Sequence, residues 1–244
     1  MKVCIAQTCP FKGDIEKNIE GHLKFIDIAI ANESDIIVFP ELSLTGFEPD
    51  LAQELAVDKH DKRFEVFQNI SDVNNITICI GAPMKRDENI YISMFIFQPN
   101  TSRVVYSKQY LHSDEEAIFT KGDSSLFINI GNEKIGFSIC YETSIKEHSK
   151  YIYKNDTAIY IASVLNHLKG IDADINRLSN IAKTYEMTVF MSNYVGTSGG
   201  YSCAGKSSVW DTTGKLMEQL GGKKQGLFIY DTKNFETITK TTVG

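Results

Sequence analysis

The chain of 244 residues lacks several features that would fix its class at once. It has five cysteines, an odd number, at positions 4, 9, 79, 140 and 203, and no Cys-x-x-Cys pair. That pattern argues against a disulfide framework and against a zinc site, so no metal is expected. Free thiols fit a reducing compartment. Only five prolines occur, scattered, with no repeat, linker or low-complexity tract, and 1–244 reads as one domain. No stretch is apolar for long enough to span a membrane, and the opening run from Met1 to Pro10 has no apolar core of signal-peptide length. The expected location is therefore cytoplasmic. Positive charge is also short: the formal net charge is -6, which argues against nucleic acid or an anionic membrane as partner. What is present, 42% hydrophobic and 23% charged residues, suits a soluble globular core.

Hydrophobic periodicity gives an α/β pattern. Residues 2–8 alternate and read as a strand. Asp14 is placed to cap a helix with Ile15, Ile19, Leu23, Ile26 and Ile30 along one face. The run Asp35-Ile-Ile-Val-Phe39 has the continuous apolar character of a strand buried on both faces. A helix is expected within 60–74, strands at 76–81 and 90–98, and a hairpin return at 103–107. A second hairpin spans 126–130 and 134–139, with a helix from about 145 to 153 after it. A strand at 157–163, a helix at 171–186 and a strand at 189–194 follow. The segments 206–210 and 215–220 flank the turn Asp211-Thr-Thr-Gly214, and 225–230 closes the pattern. Two mixed sheets packed face to face under helix layers accommodate this, as does an open doubly wound sheet.

Three reactive side chains fall where a strand ends and a loop begins, the usual place for a site in α/β proteins. Glu41, in Val38-Phe-Pro-Glu-Leu-Ser-Leu-Thr-Gly46, follows a strongly apolar strand; desolvation there would raise its pKa and make it a better base. Taken alone, an exposed loop glutamate is the plainer reading. Lys108 closes a strand in which Val104 and Tyr106 share its face; a surface lysine is the plainer reading. Cys140, in Ile135-Gly-Phe-Ser-Ile-Cys140-Tyr-Glu-Thr-Ser144, ends a strand ahead of a helix, where a helix N-terminus and a lysine would stabilise a thiolate. A packed core cysteine competes with that reading.

Jointly, the three segments resemble the nitrilase, or carbon–nitrogen hydrolase, superfamily. That family carries a glutamate in Phe-Pro-Glu-Leu, a lysine in Tyr-x-Lys and a cysteine in Gly-x-x-x-Cys-Tyr-Glu/Asp, in this order. The likeness runs over essentially the whole chain, through Ala6-Gln7, Phe119-Thr-Lys-Gly122, Ile161-Ala-Ser163, Ser192-Asn-Tyr-Val-Gly196 and Ala204-Gly-Lys-Ser207. It implies a four-layer α-β-β-α sandwich with two mixed sheets and a homodimer. It also implies Glu41 as general base, Lys108 as oxyanion stabiliser, Cys140 as nucleophile and no cofactor. Many members carry a second glutamate between the lysine and Phe-x-x-Gly; Glu116 fits that place, with Glu115 beside it. The backbone of Tyr141 would help hold the oxyanion, and Asn166 would line the pocket, although a plain turn residue suits Asn166 equally.

One departure stands out. The family commonly reads Cys-Tyr-Asp/Glu-x-Arg-Phe-Pro-Glu, whereas here Ser144 replaces the arginine and Lys146 the proline. A substrate preference cannot be borrowed from arginine-bearing relatives. Tyr141, in place of the tryptophan typical of true nitrilases, favours a small amide as substrate, with release of ammonia. His112 and His148 raise a Cys–His dyad, but nothing in the sequence ties either to Cys140. A catalytically silent binding or regulatory protein of the same fold and an acyltransferase are the alternatives. Rapid alkylation of Cys140 would count against the first, and added nucleophiles would reveal the second.

Overall fold

Alternation along the strands sorts the core into layers. In the first strand Val3 and Ile5 face one apolar cluster, while Cys4 and Ala6 face another. The computed structural model describes residues 1–241. The first half of the described chain runs β1 (Lys2–Gln7), α1 (Ile15–Ala31), β2 (Ile36–Val38), α2 (Ala52–Leu55), α3 (Glu65–Asn74), β3 (Thr77–Arg86), β4 (Asn89–Phe97) and β5 (Val104–Ser107). It continues with β6 (Phe127–Ile130), β7 (Glu133–Ile139), α4 (Lys146–Lys154), β8 (Ile159–Ser163), α5 (Ile171–Tyr185) and β9 (Thr188–Ser192). The last strands are β10 (Thr197–Ser198), β11 (Tyr201–Ser202), β12 (Ser208–Trp210), β13 (Leu216–Gln219), β14 (Gly226–Asp231) and β15 (Thr237–Thr241).

Two mixed sheets result, ordered β15-β14-β1-β2-β3-β4-β5 and β13-β12-β9-β8-β7-β6. Each has a parallel centre, β1-β2-β3 in one and β7-β8-β9 in the other, flanked by antiparallel strands. The central apolar cluster joins the two sheets, with Val38 from the first and Phe137, Ile161 and Phe190 from the second among its members. A second cluster packs Phe25 and Ile26 of α1 and Phe67 of α3 on the outer face of the first sheet. A third packs Ile152 of α4 and Leu178 and Ile181 of α5 on the outer face of the second. The chain is therefore the expected four-layer α-β-β-α sandwich, not an open doubly wound sheet.

Three details differ from the sequence reading. Asp14 caps α1 by accepting from Lys17 N, but the helix is rotated: Asn18 and His22 are buried while Ile19, Leu23 and Ile30 are only partly so. Asn18 Nδ2 donates to the carbonyls of Phe11 and Leu44, and His22 Nε2 meets Ser43 Oγ at 2.9 Å with its ring stacked on Phe39. These polar contacts draw that face of α1 inward, onto the segment that carries Glu41. The strand expected at 76–81 continues through Pro83 to Arg86. Pro83 O accepts from Val57 N on the side where β2 has already ended, so the missing proline N–H costs no ladder bond. Finally, β15 pairs with β14 as an edge strand beyond the expected last strand.

Candidate active site

Glu41 follows β2 in a tightly bound turn. Phe39 N donates to Cys79 O, Leu44 N donates to Gly81 O, and Gly81 N donates to Ser43 Oγ. A Cβ on Gly81 would collide with the Leu42 backbone nitrogen, so glycine is needed where this turn crosses β3. The second sheet reaches over to the same turn: Ser163 Oγ donates to Phe39 O (2.9 Å) and Tyr194 OH donates to Glu41 O (2.6 Å).

Lys108 sits just past β5, its N–H bonded to Ile92 O of β4. Its ammonium is wholly buried and donates to Glu41 Oε1 at 2.9 Å and Glu115 Oε1 at 2.7 Å. Glu115 is fixed in turn by His112 N, which donates to Oε2. Burial works against the Lys108 charge, but the carboxylates of Glu41 and Glu115 outweigh it and hold the ammonium above its ordinary pKa. Burial pushes the Glu41 carboxyl up to about 7, against the pull of Lys108; Glu115 pushes in the same direction as burial.

Cys140 directly follows β7 with φ 47, a left-handed conformation that turns the chain sharply at the strand end. It opens a 3₁₀ turn, Cys140–Ser144, and α4 starts only at Lys146. Burial raises the thiol well above its ordinary pKa and Glu41 adds to this, while Lys108 opposes it. The expectation of a thiolate held by a helix N-terminus is thus corrected. The resting group is a thiol, which donates to Leu165 O at 3.7 Å and shares its cavity with the Glu41 carboxyl.

The other expected residues divide. Glu116 does not join the cluster: it pairs with Lys121 on the surface, its side chain 51% exposed. Successive residues of the turn 112–119 point in different directions, and the His112 N–H pins Glu115, not Glu116, against Lys108. Tyr141 lines the cavity with its ring edge against His112. As the second residue of the 3₁₀ turn it has no partner for its N–H within that turn. Asn166 also lines the cavity, but its amide nitrogen points at Met191 Sδ and its backbone is tied to Asn193. Neither histidine forms a dyad. His112 Nδ1 pairs with Asp114 at 2.6 Å, and His148 Nε2 is 3.1 Å from Tyr106 OH. Since Tyr106 OH donates to Glu142, it accepts from His148, which fixes the Nε2–H tautomer. Burial pulls the His148 pKa down to about 4.

Glu142, quoted in the sequence only as part of the cysteine motif, proves structurally central. Fully buried, it accepts at Oε1 from Gln109 N (2.6 Å) and at Oε2 from Ile139 N (2.7 Å) and Tyr106 OH (2.7 Å). Gln109 follows Lys108 and Ile139 precedes Cys140, so one carboxylate ties the two segments together. Burial pushes it up to about 7, against the pull of those hydrogen bonds. A cavity of about 360 Å³ is lined by Cys140, Glu41 and Glu115, together with Asp174, Arg177 and Tyr201. Among the described residues no group of three or more His, Cys, Asp or Glu is arranged to hold a metal ion, and no helix is long and apolar enough to cross a membrane.

A thiol, an ammonium and two carboxylates at the strand ends of an α-β-β-α sandwich define a class of protein built on this fold. The family model described as carbon-nitrogen hydrolase matches residues 2–239, and the chain belongs to that family. The chain is 27% identical over 227 residues to a glutamine-dependent NAD(+) synthetase of Thermotoga maritima, covering 89% of this chain and 39% of that protein. It spans only 25% of the matching synthetase of Aquifex aeolicus, at 30% identity over 57% of this chain. A probable nitrilase of Schizosaccharomyces pombe is 26% identical, with 94% and 88% of the two chains covered. Among solved structures, Saccharomyces cerevisiae Nit3, a member of branch 10 of the nitrilase superfamily, superposes with TM-score 0.86 at 19% identity, over 96% of this chain and 90% of that one.

Proposed function

We propose that the protein is an amidase-like hydrolase that cleaves the carbon–nitrogen bond of a small amide and releases ammonia. We propose further that residues 1–244 act as one catalytic domain in a cytoplasmic homodimer. The observation that carries the reaction is the Lys108 ammonium, fully buried and bonded to Glu41 at 2.9 Å and Glu115 at 2.7 Å, in a cluster whose Glu41 and Glu115 line one cavity with Cys140.

Glu41 takes the Cys140 proton as sulfur attacks the carbonyl carbon. The oxyanion is met by Lys108 Nζ and the Tyr141 N–H, each such donor being worth about 3–4 kcal/mol in the transition state. Glu41 passes its proton to the amide nitrogen, the C–N bond breaks, and ammonia leaves a thioester on Cys140. Glu41 then takes a proton from water, hydroxide adds to the thioester, and the carboxylic acid departs as the proton returns to sulfur. Glu115 holds Lys108 in place throughout. With its pKa at about 7, Glu41 is poised to take and return a proton near neutrality. Peptide mass mapping after a rapid quench with an amide tests this. An acyl adduct on Cys140 is expected; turnover with the adduct on another cysteine, or on none, would sink the thioester route.

A further inference from the structure

His148 is a polar ring in the core that the reacting groups do not account for. It lies on α4 and is only 2% exposed. Tyr110 and Tyr160 meet its ring edge-on, with centroids 6.0 and 6.5 Å away. Burial keeps it neutral, its pKa pulled down to about 4. Nε2 lies 3.1 Å from Tyr106 OH, whereas Nδ1 has no partner among the described residues. A buried ring with one nitrogen unsatisfied costs stability, and an apolar side chain of similar size would avoid that cost. Packing alone therefore gives no reason for a histidine here.

The unsatisfied side of the ring sets the tautomer. A proton on Nδ1 would be a buried donor without an acceptor, so the proton sits on Nε2 and goes to Tyr106 OH. Tyr106 is itself buried, on β5, and its hydroxyl has a single proton to give. With His148 donating to the oxygen, that proton is committed to Glu142 Oε2 at 2.7 Å. In the other tautomer the hydroxyl would be free to turn to Nε2, and Glu142 Oε2 would keep only Ile139 N. His148 Nε2 is 3.8 Å from Glu142 Oε2, beyond hydrogen-bond reach, so the ring acts through the hydroxyl. Glu142 in turn accepts from Gln109 N, next to Lys108, and from Ile139 N, next to Cys140. The bonds thus run from α4 through β5 to both segments that carry reacting groups.

We propose that His148 is a positioning residue: by donating to Tyr106 it commits the tyrosine hydroxyl to Glu142, and so keeps Cys140 in register with Lys108 and Glu41. This rests on Cys140 as the nucleophile.

The test compares the wild type, His148→Leu, His148→Gln, Tyr106→Phe and the double variant Tyr106→Phe/His148→Leu on small amides, at equal folded concentration. Leucine fills the site without a polar atom. His148→Leu should unfold at a denaturant midpoint close to that of the wild type, yet lose about 3- to 10-fold in kcat with KM within about twofold. Glutamine carries an N–H to the place of the imidazole Nε2, and His148→Gln should recover most of that loss. Tyr106→Phe should lose about 10- to 100-fold, because the bond it removes goes to a charged group. Adding His148→Leu to Tyr106→Phe should lower kcat no further, since the histidine acts only through the hydroxyl. Alkylation of Cys140 by iodoacetamide, which needs no substrate, should slow in the same order. A kcat and an alkylation rate unmoved by His148→Leu, a His148→Gln no better than His148→Leu, or additive losses in the double variant would each overturn the positioning role alone. Should Tyr106→Phe fail to fold, the two single His148 variants still decide it. Ammonia from none of the amides, with Cys140 alkylated no faster than Cys203, would overturn the reaction and the positioning role together.

Discussion

At Lys108 one ammonium, fully buried, serves two carboxylates, Glu41 and Glu115. Two negative charges cannot both be compensated by one positive charge in a water-poor pocket, so one carboxyl is driven upward. Burial is the larger cause, and together they bring Glu41 to about 7. The base must be ionised to accept the Cys140 proton, so kcat/KM should rise with pH through about 7 and level off above it. A profile flat from pH 5 to 8 would contradict Glu41 as base. The neighbouring glutamates give a sharper contrast. Glu115→Gln removes half the support of Lys108 and should lower kcat by about tenfold or more, as loss of a charged hydrogen bond does. Glu116→Gln removes only a surface pair with Lys121, worth little, and should stay within about twofold. Equal losses in the two variants would mean that Glu115 does not act through Lys108.

Among the elements, the loops after β5 and β7 meet on Glu142. Its oxygens accept only, from Gln109, Ile139 and Tyr106, so the fold is built around the ionised form. In Glu142→Gln an amide N–H₂ must face one of these donors. We expect a loss of roughly 1.5–3 kcal/mol in unfolding free energy and a kcat loss that persists in fully folded enzyme, read by denaturation and kinetics side by side. Unchanged kcat in a destabilised variant would leave Glu142 a purely structural residue. None of this bridging was legible beforehand. The strand ends at Glu41, Lys108 and Cys140 were, because apolar runs and motif order mark them. Which of Glu115 and Glu116 turns inward depends on the path of the turn 112–119, to which periodicity is blind. Asn18 and His22 were missed on α1 because a polar residue with buried partners looks the same in sequence as one facing water. The edge strand β15 has mostly exposed residues, and its alternation carries little apolar signal.

For the whole molecule, the site belongs to neither sheet alone. Glu41 and Lys108 come from the ends of β2 and β5 in one sheet, and Cys140 from β7 in the other. Hydrogen bonds cross the sandwich to keep register: Ser192 Oγ donates to Ala6 O, Ser163 Oγ to Phe39 O and Tyr194 OH to Glu41 O. The apolar layer between the sheets supplies the adhesion, but it is directionless, and these bonds fix where the thiol stands relative to the carboxylate. Tyr194→Phe leaves the Glu41 carbonyl without its cross-sheet donor and should cost about 1–3 kcal/mol in stability. It should also lower kcat more than it raises KM, because the misplacement lies between base and nucleophile. A change confined to KM would place the effect on substrate binding instead. The α/β alternation was readable, but it suits an open doubly wound sheet as well, and the four layers followed only from the family resemblance; the cross-sheet bonds were not readable, because serines and a tyrosine at strand ends have many partners open to them.

The most direct test of the central claim is ammonia release from a panel of small amides, nitriles and carbamoyl compounds, by the wild type and by Cys140→Ala at equal folded concentration. Release from at least one amide that vanishes in Cys140→Ala is the predicted result. Release that survives in the variant would contradict Cys140 as the nucleophile, and with it the route through Glu41 and Lys108.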